Sequence, residues 1–495
     1  MTMDTGLSEQ ENQFFRNFDA GKTQIYSQWI VSDLDTPVSV FLKLAENEPY
    51  AFLFESVEGG ETLGRYTIIG LDPDLIWNCQ DYREPHSDPL QDLRRILKES
   101  NIDECDPSLP PMASSGLFGY MGYDMIRVVE DIPDTNPDPL QIPDSIFIRP
   151  RLLVIFDNIK HKICLTTPVY NHTNSASKKT ATECFSECRM RIERAIEKIH
   201  SMYLPQQHRT KFDTIPEAIP DMSKEEFFDI VRRGKDYILA GDIFQFVPSQ
   251  RFTLDFDLPS FELYRCLRRM NPSPFLFFVR FPEFSLIGSS PEIMVRVRDE
   301  EVTIRPIAGT RRRGKDIAED KFLSEDLLND PKEISEHLML LDLGRNDVGK
   351  VAQIGSVKVT DKFFIEYYSH VMHIVSNVVG TLRPDLDALD ALMSGAPAGT
   401  VSGAPKIRAM EIIDELEPVK RKFYGGCIGY LAANGNIDTC IALRTCLVKD
   451  GKIYAQAGAG IVADSIPESE HQECVNKAKA IIQSGQEALR QSKQN

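Results

Sequence analysis

The spacing of apolar residues in the N-terminal part of the chain predicts a mixture of helices and strands. Apolar residues recur with a helical period in some segments and alternate, or form short runs, in others. The predicted helices are VSVFLKLAE, RRILKES and a basic amphipathic segment near 185–203; the predicted strands are YAFLFESV, RYTIIGL, SIFIRPRLLVIFD and KICLTTPVY. Two Pro/Asp-rich stretches, 103–112 and 130–144, flank the glycine-rich segment GLFGYMGYD. These patterns indicate a strand-rich N-terminal region.

A polar, proline-spaced segment at 204–222 is the best candidate for a domain boundary. Directly after it, Ser223-x-x-Glu226 has the form of a capping box, which predicts a helix that begins there and ends at Gly241. Strands then alternate with helices to the end of the chain. We therefore predict an N-terminal region at 1–210 and a larger α+β domain at 220–490.

The composition is that of an ordinary globular protein. The chain has 495 residues, of which 42% are hydrophobic and 26% charged, and its net charge of −18 argues against a nucleic-acid or anionic-membrane surface. No apolar run approaches the length of a membrane span, and the N-terminus lacks the pattern of a signal peptide. The ten cysteines form no C-x-x-C pair, which favours reduced thiols. From these features we expect a cytoplasmic protein.

The loop PIAGTRRRGKD, at 306–316, comes within one residue of a phosphate-binding loop. Gly309-x-x-x-x-Gly314-Lys315 fits that motif, but Asp316 stands where a hydroxyl that binds Mg²⁺ is needed. A carboxylate there would repel the phosphates, and three consecutive arginines crowd a loop that should offer bare backbone amides. A nucleotide site is therefore the weaker interpretation of this loop.

Two helices carry glutamates at i, i+3 spacing near their N-termini. Glu333 and Glu336 lie in PKEISEHLMLLDL, and Glu470 and Glu473 lie in PESEHQECVNKAKAII. A solvated helix face is the ordinary reading of one such pair. Because both clusters follow a proline and precede an apolar helix, a second interpretation is a Mg²⁺ site built from carboxylate oxygens.

Two glycine-rich segments offer backbone amides to an anion. SGAPAGTVSGAPKIRAMEII runs from a flexible turn into a helix, and IYAQAGAGIV is a strand interrupted by glycines; tight turns or close packing are the alternative explanation. The cations nearby in the sequence are Lys406, Arg408, Arg444 and Lys477. Carboxylates, cations and bare amides together suit a small substrate with several carboxylates, bridged by Mg²⁺.

Eight segments together closely resemble the chorismate-utilising enzymes, and among them anthranilate synthase component I. They are SPEIMVRV, RPIAGTRRRG, KEISEHLMLLDLGRNDVGKV, YYSHVMHIVSNVVG, PAGTVSGAPKIRAMEII, YGGCIGY, DTCIALRT and QAGAGIVADSIPESEHQECVNKAKA. The likeness covers most of 220–490 and is weaker in the N-terminal third. One motif departs from the family pattern, since Gly344 stands where alanine is usual.

The resemblance implies a fold of β-sheets packed face to face with helices outside, and the conversion of chorismate and ammonia to anthranilate and pyruvate. It places the metal ligands at Glu336 and Glu473, supported by Glu333 and Glu470, and the chorismate pocket at Gly309, Thr310, Tyr424, Arg444, Gly458, Ala459, Gly460 and Lys477. It also implies that Glu292 protonates the departing C4 hydroxyl and that His373 and Thr400 assist the loss of pyruvate. A packed core histidine remains the competing interpretation of His373.

Two positions separate the possible reactions within this family. Relatives that make aminodeoxychorismate typically have a nucleophilic lysine at the position of Ala308, and relatives that add water tend to have a lysine base at that of Gln245. Alanine and glutamine can do neither, so free ammonia is the expected nucleophile. The alternative within the family is aminodeoxychorismate synthase component I; the others are a nucleotide-binding module and an inactive regulatory homologue.

The resemblance also implies two partners besides chorismate. No glutaminase motif is visible in the sequence, so ammonia is expected from a separate glutaminase subunit, component II. L-tryptophan is expected to bind and inhibit at Glu55, Ser56, Pro274, Phe275 and Leu276, where tyrosine and methionine usually follow the proline. Buried strands are the alternative explanation of these apolar segments.

Overall fold

A computed structural model describes residues 9–58, 62–84, 88–103, 105–170, 179–204, 206–368 and 371–494. The helices are α1 Glu9–Asp19, α2 Pro37–Ala45, α3 Pro89–Glu99, α4 Ala181–His200, α5 Lys224–Ala240, α6 Ser260–Met270, α7 Ile317–Asn329, α8 Pro331–Val351, α9 Ala388–Gly395, α10 Lys406–Leu416 and α11 Pro467–Gln494. The strands are β1 Gln24–Val31, β2 Ala51–Glu58, β3 Thr62–Cys79, β4 Gly116–Met121, β5 Ser145–Asp157, β6 Lys162–Val169, β7 Ile219–Pro220, β8 Gln245–Phe246, β9 Ser249–Asp255, β10 Phe275–Arg280, β11 Phe284–Ser290, β12 Ile293–Arg298, β13 Glu301–Ile304, β14 Ile307–Arg312, β15 Lys358–Tyr367, β16 Val371–Thr381, β17 Gly403–Ala404, β18 Cys427–Ala432, β19 Ile437–Ile441, β20 Thr445–Lys449 and β21 Lys452–Gly458.

Two branches of antiparallel sheet meet at the long strand β5. One edge of β5 pairs with β3, and the other pairs with β4 and then with β6. The first branch runs from β3 through β2, β10, β11, β20, β21 and β9 to β7. The second branch runs from β4 through β18, β19, β12, β13 and β16, which also pairs with β14 and β15. Strands far apart in the sequence therefore lie side by side.

The inner faces of the two branches pack against each other. Phe52 and Phe277 of the first branch share one buried cluster with Phe118 and Ile428 of the second. The rings of Phe52 and Phe118 stack with their centroids 4.6 Å apart. Burial of this aromatic and aliphatic surface is the main driving force that holds the branches together.

Helices cover the outer faces. Side chains of α2, α4, α6 and α11 pack on the first branch, and side chains of α3, α8, α9 and α10 pack on the second. The fold class predicted from the resemblance, sheets packed face to face with outer helices, is confirmed. The division at 210–220 stays a prediction, although β2 pairs with β10 and β4 with β18 across it.

Local sequence signals place many element ends correctly. Ser223 caps α5 in a reciprocal capping box with Glu226, and Gly241 ends the helix in the left-handed conformation at φ 86°. The basic helix predicted near 185–203 begins earlier, at Ala181, because Thr180 caps it with Glu183. The polar run at 171–178 before it lies outside the described residues. Within the described part of the chain, no helix is long and apolar enough to cross a membrane.

Candidate active site

A bulged loop on β14 faces a histidine on β16. The register shifts between Ala308 and Thr310, and Gly309 between them takes a φ of 80°, a conformation that favours glycine. Thr310 pairs with His373, whose Nδ1 lies 3.0 Å from the Thr310 hydroxyl and 3.1 Å from the Gly309 carbonyl oxygen. The predicted substrate loop and the predicted catalytic histidine are therefore in direct contact.

The contacts of His373 define its protonation. A nitrogen that faces a carbonyl oxygen carries the proton, so Nδ1–H donates and Nε2 bears a free lone pair. Nε2 is buried and has no hydrogen-bond partner among the described residues. Burial, and then the charge of Arg444, lowers the pKa of His373 to about 4, which keeps the ring neutral at pH 7. A buried lone pair of this kind is suited to a proton or a hydrogen-bond donor supplied by a substrate.

Glu292 lies in the short connection between β11 and β12 and is buried. Its carboxyl accepts a hydrogen bond of 3.3 Å from the Thr400 hydroxyl. Burial raises the pKa of Glu292 to about 8, against the smaller lowering effects of Thr400, the Ile307 amide, Arg444 and Lys477. The group is therefore largely protonated at neutral pH, as a general acid must be.

Arg444 brings a cation to the same pocket. Its backbone adopts the left-handed conformation, with φ 47°, just before β20. Within the part of the chain that the structure describes, its guanidinium has no hydrogen-bond or ion-pair partner. Burial lowers the pKa of Arg444, whereas Tyr368 and Glu292 raise it. An unpaired guanidinium in a buried pocket is suited to a substrate carboxylate.

The two glutamate pairs lie on the first two turns of α8 and α11. Asp330 caps α8 with its side chain and Pro331 fills the first position. Burial raises the pKa of Glu336, and the charges of Glu333 and Glu473 raise it further, so carboxylates of the two helices face one site. Lys477 ties them to the pocket, with Nζ 2.7 Å from Glu473 and 2.9 Å from the carbonyl oxygen of Gly458.

The arrangement of these carboxylates fits a Mg²⁺ site that substrate and water complete, and not a metal site formed by protein ligands alone. Among the described residues, no three or more His, Cys, Asp or Glu side chains come together closely enough to hold a metal alone. Mg²⁺ usually takes one or two carboxylates and leaves places for substrate and water. Like-charged, partly buried glutamates also repel one another, which a divalent cation would relieve. Glu336 and Glu473 are the candidate ligands.

Glycines on and after β21 allow close approach of side chains. A Cβ on Gly458 would come within 3.1 Å of the Tyr424 hydroxyl, and one on Gly460 within 2.4 Å of Gln245 Nε2. That nitrogen donates to Glu336 at 3.4 Å, while the buried amide oxygen of Gln245 has no partner among the described residues. The pocket therefore presents one bare acceptor next to the acidic cluster.

The arginine run near the substrate loop is structural. Arg311 donates hydrogen bonds to Asp326, Asp330 and Glu333. Arg312 donates to Glu319, and Arg313 donates to Asp320 and to the carbonyl oxygen of Tyr368. The amides of Gly314 and Lys315 donate to Asp320 and Glu319, and Asp316 caps α7. These amides face carboxylates, so the loop cannot hold a phosphate.

Two cations expected near the substrate belong elsewhere. Lys406 is buried and bonds Asp347 at 2.8 Å, and Arg408 pairs with Asp242 and Glu411. Their places in the sequence, beside a glycine-rich turn, suggest anion binding, but each is neutralised by an aspartate that lies far away along the chain. Sequence analysis also assigned no role to Tyr368 of the segment YYSHVMHIVSNVVG, whose ring packs edge-on against His373 at 5.5 Å.

The residues predicted to bind L-tryptophan lie on, or directly before, two paired strands. Ser56 of β2 lies opposite Phe275 of β10, and Glu55 lies opposite Leu276. With Pro274 they line a cavity of about 880 Å³ between the branches. The Glu55 carboxylate is buried and already accepts hydrogen bonds from Arg268 and Tyr264. The structure thus brings these residues together without showing what occupies the cavity.

The sequence and the fold match those of known proteins. Residues 49–483 match the family model of the chorismate binding enzyme. Anthranilate synthase component 1 of Cereibacter sphaeroides is 51% identical over 490 residues, 96% of this chain and 97% of that protein. The Pseudomonas aeruginosa protein of the same name is 46% identical over 91% of this chain and 93% of its own length.

A solved structure agrees with these sequence relatives. The crystal structure of anthranilate synthase component I from Streptococcus pneumoniae superposes with a TM-score of 0.74 at 35% identity, covering 92% of this chain and 99% of that one. The likeness therefore extends over the N-terminal region as well as the site. The chain belongs to the chorismate-binding enzyme family, among the anthranilate synthase component 1 proteins.

Proposed function

We propose that this chain converts chorismate and ammonia to anthranilate, pyruvate and water. The observation that carries the proposal is Glu292, a buried carboxyl whose pKa is raised to about 8 and which lies beside Thr400 and the unpaired Arg444. Departure of the C4 hydroxyl needs an acid, because hydroxide is a poor leaving group. A chain with this family membership and such a neutral carboxyl has the group that this step requires.

The first step forms a bond between the ammonia nitrogen and C2 of the ring, while the C4 oxygen leaves as water with the proton of Glu292. Arg444 would hold a carboxylate of the substrate during this step, and Lys477 would hold another. Bound Mg²⁺, held by Glu336 and Glu473 with Glu333 and Glu470 in support, would neutralise and polarise the ring carboxylate. The bulged backbone at Gly309 and Thr310 would close the pocket over the ring.

The second step removes the enolpyruvyl group and makes the ring aromatic. The free lone pair on Nε2 of His373 is suited to take the C2 proton, because its neighbour Nδ1–H is held by the Gly309 carbonyl. The C–O bond between the ring and the enolpyruvyl group breaks, the enolpyruvyl methylene carbon receives the proton that His373 took, and pyruvate leaves. Thr400, bonded to Glu292, would help position the returning proton.

The surroundings of the loop favour free ammonia as the nucleophile. Ala308 is buried on β14 and has no amine, so a covalent ring–lysine adduct cannot form there. The bare amide oxygen of Gln245 is a hydrogen-bond acceptor for N–H groups and not a base. Ammonia would come from glutamine in a separate glutaminase subunit, and L-tryptophan would inhibit at the Ser56–Phe275 cavity.

Product identification tests the proposal directly. The purified chain is mixed with chorismate, Mg²⁺ and either ammonium or glutamine, and the products are followed by fluorescence and mass. We expect anthranilate and pyruvate with ammonium and no turnover with glutamine. Aminodeoxychorismate as the product would favour the alternative within the family, and glutamine-dependent turnover by the single chain would contradict the requirement for a second subunit.

A further inference from the structure

A buried ion pair joins backbone segments of the site and lies outside the set of residues assigned to the reaction. Arg421 is 2% exposed and Glu417 4% exposed, and two hydrogen bonds of 2.5 and 2.9 Å join the guanidinium to the carboxylate. The ring of Tyr424 lies 5.6 Å from the guanidinium carbon and that of Tyr123 lies 4.9 Å from it. Such burial is costly for charges unless their remaining bonds are satisfied.

The remaining bonds of Arg421 go to two backbone segments of the site. It donates 2.6 Å bonds to the carbonyl oxygens of Val401 and Val247. Val401 follows Thr400, and Val247 lies two residues after Gln245. The two segments also bond each other, from the Val247 amide to the Ser402 carbonyl.

The carboxylate of Glu417 reaches a third segment. It accepts 2.7 and 2.8 Å bonds from the amide and hydroxyl of Ser249, the residue that pairs with Gly458 of β21. Arg421 itself immediately precedes the turn to Tyr424, whose amide donates to the Arg421 carbonyl. One ion pair therefore joins the segments that carry Thr400, Gln245, Tyr424 and Gly458.

From these contacts we infer that Arg421 is a positioning residue, which holds Thr400 against the acid Glu292 through the carbonyl oxygen of Val401. Only the planar fork of arginine can bond Glu417, Val401 and Val247 at once; a lysine ammonium is a point charge and cannot keep this geometry. This inference rests on the proposed function, because it assigns Arg421 to the acid step of that reaction.

The position of Thr400 has a measurable consequence at Glu292. The groups that act on this carboxyl are Thr400, the Ile307 amide, Arg444 and Lys477. The Thr400 bond favours the charged carboxylate, so its loosening makes Glu292 a weaker acid. Activity that needs the protonated form then persists to higher pH. If the ion pair only stabilised the fold, its loss would lower the thermal stability of the protein but leave the alkaline limb of the pH profile unchanged.

The experiment compares Arg421→Lys, Thr400→Val and the double variant in the full chain. Ammonia-dependent kcat/KM for chorismate is measured from about pH 6 to about pH 10, a range around the pKa of Glu292, with free NH₃ held constant. The matched control is Arg149→Lys: Arg149 is equally buried, forms two hydrogen bonds with Asp74 and stacks on Tyr170, and none of these partners is assigned to the reaction. Circular dichroism checks that each variant is folded.

We expect Arg421→Lys to lower kcat/KM on the order of 10- to 100-fold, as misplaced catalytic groups do. Its alkaline limb should move upward by roughly 0.5 to 1 pH unit, the size expected for one lost hydrogen bond to a carboxylate. Thr400→Val should move the limb similarly, and the double variant no further. Arg149→Lys should keep the wild-type limb and KM.

Two results would overturn the inference. The first is a folded Arg421→Lys enzyme whose alkaline limb stays at the wild-type pH. The second is a limb shift caused by Arg421→Lys that is as large in the Thr400→Val background as in the wild-type background. If Arg421→Lys does not fold, Glu417→Gln replaces it with the same expectations, because it loosens the same guanidinium. A wild-type chain that makes no anthranilate would refute the proposed function instead, so the two failures are distinguishable.

Discussion

The protonation of one buried carboxyl group, that of Glu292, determines when the proposed acid step can occur. Glu292→Gln keeps the shape of the side chain but removes the proton that it donates. We expect kcat to fall by about 10²- to 10⁴-fold, the usual contribution of general acid catalysis. Stopped or continuous assays of anthranilate fluorescence measure the loss. Near wild-type turnover in this variant would show that another group protonates the C4 oxygen.

The same carboxyl makes stability depend on pH. Its pKa is about 8 in the folded protein against an ordinary value of 4.5, so the unfolded chain loses this proton first. The contribution of Glu292 to stability is complete below about pH 4.5 and is lost as pH rises through about 8. Glu292→Gln removes this loss. We expect its Tm to exceed that of the wild type above about pH 8 and to match it near about pH 4.5; equal differences at both pH values would contradict the raised pKa.

The identities of the site residues could be predicted from sequence motifs, but their protonation states could not. Glu292 and His373 stand in recognisable motifs, yet the pKa of each is set by burial that only the packed fold supplies. Lys406 illustrates the limit. Its position beside a glycine-rich turn suggests anion binding, whereas Asp347, 59 residues earlier in the chain, neutralises it.

The first two turns of α8 and α11 form the acidic side of the site. Glu336→Gln and Glu473→Gln should each abolish Mg²⁺-dependent turnover while the protein stays folded, because an amide keeps the shape and loses the ligand charge. Glu468→Gln, at an exposed position in the first turn of α11, is the matched control and should remain active. Magnesium titrations of activity, with EDTA as the blank, measure the effect. Turnover that survives EDTA would show that no metal is needed.

Elements with strong local signals were predictable. The strand SIFIRPRLLVIFD coincides with β5, and the capping box at Ser223 with the start of α5. The pairing of β4 with β18 was not, because the partners lie about three hundred residues apart and no local pattern encodes their register. The carboxylate partners of Arg311 could not be predicted for a related reason. They lie near the end of α7 and at the start of α8, which only the fold brings together around this side chain.

At the scale of the whole molecule, the cavity between the branches extends from β2 and β10 towards the site. Its lining includes Ser56 and Phe275 as well as Pro291, Ile307 and Tyr368. Pro291 precedes Glu292, the Ile307 amide forms a hydrogen bond with the Glu292 carboxyl, and the Tyr368 ring packs on His373. A ligand in this cavity would therefore contact elements that hold both catalytic groups, which gives inhibition a physical route.

Tryptophan is the ligand that we expect in this cavity. Its indole suits the apolar wall at Phe275 and Leu276, and its head group would meet the Ser56 hydroxyl and share Glu55 with Arg268. Inhibition requires that it bind two conformations of the enzyme unequally. We expect millimolar tryptophan to inhibit anthranilate formation by the wild type and not by Ser56→Phe, whose ring would occupy the site.

The control for this variant is Ser108→Phe, which adds the same ring at an exposed serine outside the cavity lining. It should respond to tryptophan as the wild type does. The titration follows ammonia-dependent turnover, so that any effect on a glutaminase partner is absent from the readout. A wild type that ignores tryptophan, or a Ser56→Phe enzyme that responds like the wild type, would show that the inhibitor does not bind between β2 and β10. Retained ammonia-dependent activity in Ser56→Phe is needed for the comparison, and we expect it because Ser56 lies outside the residues assigned to the chemistry.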